Sequence, residues 1–431
     1  MIYRGMKQVE MRRSGYIRRS GHRGRRKRLI FACAAFFALA AVIGTLMFIF
    51  SRIGGAAGEE AVWASGELTE GEQKPAQLQP EPIGNPEETE TQAEEIIQTD
   101  QERPEVKGIY VTGPMAGSSG MEDLIRLLDE TELNAMVIDV KNDEGNITWQ
   151  MDYDMAQEMG ACVGYIQDME GLMRILKDHG IYTIARIVCF KDPYLAGSSP
   201  ELALKKPDGT PVTDAYGLAW VNPYQEGVWE YLTQVALEAA EIGFDEIQYD
   251  YVRFPIGEEA DAADYGVDMQ VYPKKEAITG FLSYAAEKLH EKGIPVTADV
   301  FGTIIGSSVD VEQVGQDYVE LGRVVDVLCP MVYPSHYGNH VFGLSVPDAQ
   351  PYETVLAALE GSVEELSQVP EEERAKVRPW LQAFTATWVE GHISYEGKQI
   401  REQIQAVYDA GYREWILWNA SNRYSAEGLL P

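Results

Sequence analysis

The sequence predicts a (β/α)8 barrel over residues 107–431, preceded by a transmembrane helix and a disordered linker. Three observations carry that reading. From Lys107 onward, eight short runs rich in β-branched and aromatic residues alternate with segments of helical period. These units fill about 320 residues, and such a barrel typically takes ~250, with insertions common. Third, side chains suited to chemistry gather just after the predicted strands, at the face where these barrels carry their sites.

The first 28 of the 431 residues hold 11 of the 36 Lys and Arg and one of the 68 acids, Glu10. The remainder therefore carries 25 basic against 67 acidic residues, a balance of −42 that repels nucleic acid and excludes it as a partner. Residues 29–50, "LIFACAAFFALAAVIGTLMFIF", contain no charge, and ~20 apolar residues suffice to cross a bilayer. A cleaved signal peptide is the rival, but its apolar region runs to only about 7–15 residues. The excess of Lys and Arg before the span puts residues 1–28 in the cytoplasm and the rest outside, with the lipid bilayer as partner of 29–50. Residues 51–106 are rich in Glu, Gln, Pro and Thr, cannot bury enough apolar surface to order themselves, and read as a linker reaching on the order of 40 Å.

The predicted strands are 107–112, 135–140, 181–188, 245–250, 294–299, 324–332, 377–384 and 414–418. Two helices between them are clear. In "EGVWEYLTQVALEAAEIG", Val228, Tyr231, Leu232, Val235, Ala239 and Ile242 recur at helical spacing; in "PKKEAITGFLSYAAEKLHEKG", Ile278, Phe281, Leu282, Ala285 and Leu289 do so. Pro273 suits a first turn, and both stretches end at Gly. A doubly wound sheet ranks below the barrel because no G-x-G-x-x-G turn follows the first strand. The chain reaches Pro431 too soon after the eighth strand for a full eighth helix.

Strand ends supply the candidate site. Asp139 ends the second predicted strand, Asp250 the fourth and Asp299 the fifth; the sixth runs into "YPSHYG", the seventh into "TATWVEGH" and the eighth into Asn419. Two carboxyl groups at one rim suit glycosidic-bond hydrolysis, in which one protonates the leaving oxygen while the other attacks or activates water. Aromatic residues on the same loops offer flat faces to sugar rings: Trp149, Tyr194, Trp220, Tyr251, Phe254, Tyr333, Tyr337 and Trp388. The loop from Cys189 to about Gln225 is long, which favours function over mere connection. Plainer roles stand beside these. A single Asp at a strand end is often a cap or turn residue, and Asp250 could pair with Arg253. Trp229 and Trp415 read as core. His336 and His340 lack an HExxH pattern, the cysteines lack zinc spacing, and neither a metal nor a cofactor is called for.

With those residues identified, "LAWVNPYQEGVWEYL" followed by "FDEIQYDYVRFP", together with "KGIYVTG", "NAMVIDVKNDEG" and "ILWNASNRY", resembles the putative glycosyl hydrolase domain family over essentially all of 107–431. The resemblance implies a (β/α)8 barrel akin to the α-amylase-like glycosidases. It places Asp250 where those enzymes have the fourth-strand nucleophile and Asp299 where they have the fifth-strand acid. Two departures stand out: Gln248 occupies the place of an Arg, for which Arg186 could substitute, and the acid is Asp rather than Glu. The expectation is a membrane-anchored, extracytoplasmic glycoside hydrolase acting on a cell-envelope or environmental polysaccharide. Asp250 would be nucleophile or base and Asp299 the acid. Substrate would be bound by Asp139, Trp149, Arg186, Trp220, Tyr251, Arg253, Tyr333, His336, Trp388 and Asn419. The alternatives are a non-catalytic glycan-binding or scaffolding barrel and, third, a deacetylase or lyase on the same fold.

Overall fold

The computed structural model of the chain describes residues 103–431. The basic segment 1–28, the predicted span 29–50 and most of the linker lie outside the described residues. Among those described, no helix is long and apolar enough to cross a membrane. The last four linker positions depart from expectation. Val106 is fully buried, and the Arg103 guanidinium donates to both Glu414 carboxylate oxygens at 2.9 and 2.7 Å. Residues 103–106 thus belong to the packed body, because Arg103, the Glu105 carbonyl, which accepts from Asn134, and Val106 find partners that composition alone does not reveal.

Eight parallel strands close into a barrel: β1 (Lys107–Val111), β2 (Ala135–Lys141), β3 (Tyr182–Val188), β4 (Glu246–Asp250), β5 (Val296–Phe301), β6 (Val327–Val332), β7 in two segments (Lys376–Val377 and Trp380–Gln382) and β8 (Trp415–Trp418). Each pairs with the next in chain order, and β8 pairs with β1 to close the ring. A closed ring removes the doubly wound alternative. β5 begins and ends two residues later than predicted, so Asp299 lies within the strand. β7 is interrupted at Arg378 and Pro379 because proline has no N–H to give the ladder. The strands are buried almost throughout, as parallel strands covered on both faces must be.

Helices Glu226–Ile242 and Lys274–His290 follow the predicted stripes. Gly243 adopts φ 108 and closes the first in the left-handed conformation. The second ends at His290 and reaches its glycine, Gly293 at φ 72, only two residues beyond the cap. Trp415 is core, and Trp229 packs half-buried against Phe281. No helix follows β8 in the described residues; instead Leu430 accepts a hydrogen bond from the backbone of Glu132 at 2.7 Å.

The alternation of each strand decides what the barrel interior contains. On β4, Glu246, Gln248 and Asp250 share one face while Ile247 and Tyr249 turn toward the helices. The bonds of the three polar residues all run across the interior. Glu246 meets Arg378 near the strand starts, Gln248 meets Asp299 at mid-height, and Asp250 meets Arg186 at the strand ends.

Candidate active site

Asp250 is the last residue of β4, and Tyr251 after it takes φ 50. That left-handed conformation is strained for an aromatic residue and belongs to the kind of backbone strain found at functional sites. It turns the Tyr251 amide back to donate to Asp250 Oδ1 at 2.6 Å. Asp250 Oδ2 accepts from Arg186 Nε at 2.9 Å and also from Nη2. Three N–H groups, two of them on the Arg186 guanidinium, thus hold this carboxyl group in place. Arg253, the partner that sequence proximity suggested for Asp250, donates to Phe254 O instead. Its guanidinium lies 4.7–5.2 Å from the ring centres of Phe301, Trp220 and Tyr251.

Arg186, on β3, holds three carboxylates at once. Nη1 donates to Asp139 Oδ1 at 2.7 Å and Nη2 to Asp143 Oδ1 at 2.8 Å, besides the bonds to Asp250. Tyr110 from β1 donates to the other oxygen of Asp139 at 2.6 Å and lies under the guanidinium, 5.4 Å from ring centre to Cζ. Burial pushes the Asp139 carboxyl up to about 6 despite the opposing charge of Arg186.

Asp299, from β5, is 1 % exposed. Its Oδ1 accepts from Trp380 Nε1 at 2.6 Å and from Gln248 Nε2. Burial and then the nearby charge of Asp250 push its carboxyl well above the usual range, against the lowering pull of those donors and of Arg186. Two carboxyl groups on adjacent strands thus have different environments, one gripped by a guanidinium and an amide, the other buried and pushed toward its protonated form, and such differences divide acid and base roles within one site. His336 is pushed down to about 4 by burial, so it is neutral near pH 7, and its Nδ1 lies 3.1 Å from Ser335 Oγ.

These groups open on one cavity of about 110 Å³. Of the predicted residues, Asp250, Asp299, Arg186, Tyr251, Arg253, Tyr333 and His336 line it. The other five do not. Asp139 sits behind Arg186 and positions it. Trp220 is buried beneath the rim, against Arg253 and Tyr251. Trp149 lines a separate groove with Asp152, Glu170 and Glu238, because Ile147 pairs back on Lys141 and carries the chain outward. Trp388 stacks on Phe384, with centroids 5.9 Å apart, one ring removed from the cavity. Asn419 spends its amide on Ala383 O and Arg423 O, holding the turn after β8. Among the other rim aromatics, Tyr194, Phe254 and Tyr337 also stay off the cavity.

Five cavity residues escaped the sequence reading: Asp143, Phe301, Met331, Trp380 and Trp418. Asp143 was visible as a carboxylate two residues beyond β2. The rest look like ordinary strand residues, and only their position around the ring reveals that they face the cavity. No group of three His, Cys, Asp or Glu suited to a metal occurs among the described residues.

The sequence profile of the family described as "Putative glycosyl hydrolase domain" matches residues 108–424. The chain belongs to that family. A hypothetical protein from Ruminiclostridium thermocellum is 37 % identical over 44 % of this chain and 97 % of its own, with TM-score 0.41. The PgaB (BpsB) glycoside hydrolase domain from Bordetella bronchiseptica superposes with TM-score 0.55 over 73 % of this chain and 94 % of its own, at 12 % identity. The second likeness is one of fold. No curated protein matches the chain.

Proposed function

We propose that this member of the family hydrolyses glycosidic bonds in a polysaccharide or oligosaccharide, with Asp299 as general acid and Asp250 as nucleophile or base. The observation that carries this is the difference in environment between two carboxyl groups facing one cavity. Asp299 is buried and kept protonated, ready to give a proton to the leaving oxygen. Asp250 is held by three N–H donors, two of them from Arg186, and as a carboxylate is suited to attack the anomeric carbon or to draw a proton from water. Arg186 orients Asp250, with Asp139 and Asp143 holding Arg186 in turn. Tyr333, Trp380 and Trp418 give a sugar ring flat apolar walls, and the neutral imidazole of His336 is suited to hydroxyls. The long basic-then-apolar N-terminal sequence supports placing the barrel outside the cytoplasm on a membrane anchor at 29–50, within reach of cell-envelope or environmental polysaccharide.

The test is release of new reducing ends from a panel of cell-wall and plant polysaccharides by the full chain and by Asp250→Asn. Release by the parent and none by the folded variant supports the reading. If neither cleaves any member while both retain glycan in a binding assay, the barrel is a glycan-binding protein. Protease treatment of intact cells tests the anchor: digestion of the barrel from outside supports it, and full protection sinks it.

A further inference from the structure

Asp299 is buried, and its two oxygens are bonded unequally. Oδ1 accepts two hydrogen bonds, from Trp380 Nε1 at 2.6 Å and from Gln248 Nε2. Oδ2 accepts none among the described residues, and the residue lines the cavity. We propose that Trp380 and Gln248 are positioning residues: they reserve Oδ1 of Asp299 as an acceptor and thereby place its acid proton on Oδ2, toward the cavity. The proposal rests on the reading of Asp299 as the acid and specifies which oxygen delivers the proton.

The polarity follows from donor chemistry. An indole N–H can only donate, so the oxygen it meets is the carbonyl-like one of the protonated carboxyl group. A proton on Oδ1 would compete with that donor for the same oxygen. Gln248 could present either end of its amide, but with Trp380 already donating, its NH2 completes the pair. Its Oε1 is then left buried without a hydrogen-bond partner. The donors come from opposite sides of Asp299, Gln248 from β4 and Trp380 from β7. Together they hold the carboxyl plane as well as its polarity. The other titratable or charged groups facing Asp299 are Asp250, Arg186, the Cys189 and Cys329 thiols and the Tyr333 phenol. Burial keeps both thiols and the phenol neutral, so near neutral pH the charges acting on Asp299 are those of Asp250 and Arg186.

In the catalytic step this geometry has a direct consequence. As the glycosidic C–O bond breaks, the leaving oxygen takes the proton from Oδ2, and the electron pair left on Asp299 spreads to Oδ1, where both N–H groups stabilise it. The same two bonds that point the proton outward therefore strengthen as the acid becomes anionic.

Infrared difference spectra against pH, on the full chain with carboxyl-13C aspartate, test the proposal without any substrate. Asp299→Asn identifies its band. In the parent, the Asp299 C=O band is expected to persist above the ordinary carboxylate range at a frequency lowered by two donors. Trp380→Phe and Gln248→Met should each raise that frequency and move the titration midpoint further up, since each removes a donor that favours the anion. A midpoint that falls in Gln248→Met would mean that Asp299 donates to the amide, and would overturn the proposal. So would a band unmoved by either substitution, or Asp299 titrating in the ordinary range in the parent. If Trp380→Phe fails to fold by circular dichroism, Gln248→Met decides alone. On any polysaccharide the chain cleaves, both variants should lower kcat and shift the basic limb of the rate profile upward. A merely structural defect lowers the rate without moving the limb. A chain with the clamp intact but no hydrolysis sinks the glycosidase reading and leaves the clamp standing.

Discussion

The two ends of the barrel hold comparable numbers of buried charges and use them differently. At the strand starts, Arg378 donates to Glu246 at 2.6 and 3.0 Å and to Glu414 at 2.9 Å, and Arg103 pairs with both glutamates. Two cations meet two anions, and neither Arg378 nor Glu246 has any exposed side-chain surface. At the strand ends, Arg186 bonds Asp139, Asp143 and Asp250 at once, with Asp299 close by. That cluster gathers three carboxylates on one guanidinium, and it opens on a cavity. β4 contributes to both, Glu246 at its first residue and Asp250 at its last, about 13 Å apart at the usual rise of a strand. A balanced, closed cluster holds the barrel together. The open one buries a carboxyl group, Asp299, that burial and the charge of Asp250 push toward its protonated form, and a proton so held is available for transfer.

Substitutions at the two ends should break this comparison in opposite ways. The largest effect is expected for Asp250→Asn. Hydrolysis should fall on the order of 10⁴-fold, while the urea midpoint stays the same or rises, since Arg186 keeps Asp139 and Asp143. Arg378→Met should do the reverse. It leaves the buried Glu246 with only Arg103 at 3.6 Å and the Tyr182 hydroxyl and costs about 3 kcal/mol of stability, read from urea unfolding, while activity per folded molecule holds. Asp299→Asn should remove hydrolysis yet gain on the order of 1 kcal/mol at neutral pH. The sign follows from proton binding. The folded carboxyl group titrates above its unfolded value, so the native state holds more protons, and Asp299 costs stability as pH rises from ~4 toward its raised folded value. That slope should flatten in the variant, and hydrolysis by the parent should hold across that range and decline only as pH rises through the raised folded value. The smallest effect is expected at Trp149→Phe, which leaves the cavity untouched and should change the rate by no more than roughly twofold.

Much of this contrast was legible in the residues, but unevenly. "EIQYD" already showed the alternation that puts Glu246, Gln248 and Asp250 on one face, and the Asp at its end pointed to the rim. Eight strand runs located the barrel, with only β5 displaced by two residues. What a linear reading could not supply is which residues meet across the ring. Arg378 and Glu246 are 132 positions apart and Trp380 and Asp299 81, so neither pair leaves a local pattern. Aromatic residues in rim loops were overcounted for the same reason. Trp149, Trp220 and Trp388 have the expected chemistry, but the loop paths after β2, β3 and β7 turn them away from the cavity or bury them behind it. Trp380 and Trp418, inside strands, look like core and face the site.

The ion cluster at the strand starts also fixes where the barrel is held. Arg103 is clamped to Glu414 and Glu246 at the end opposite the cavity. Whatever precedes residue 103 is therefore joined to the barrel's back, and the mouth looks the other way. A fusion partner joined directly at residue 103 would meet the barrel at the end opposite the cavity.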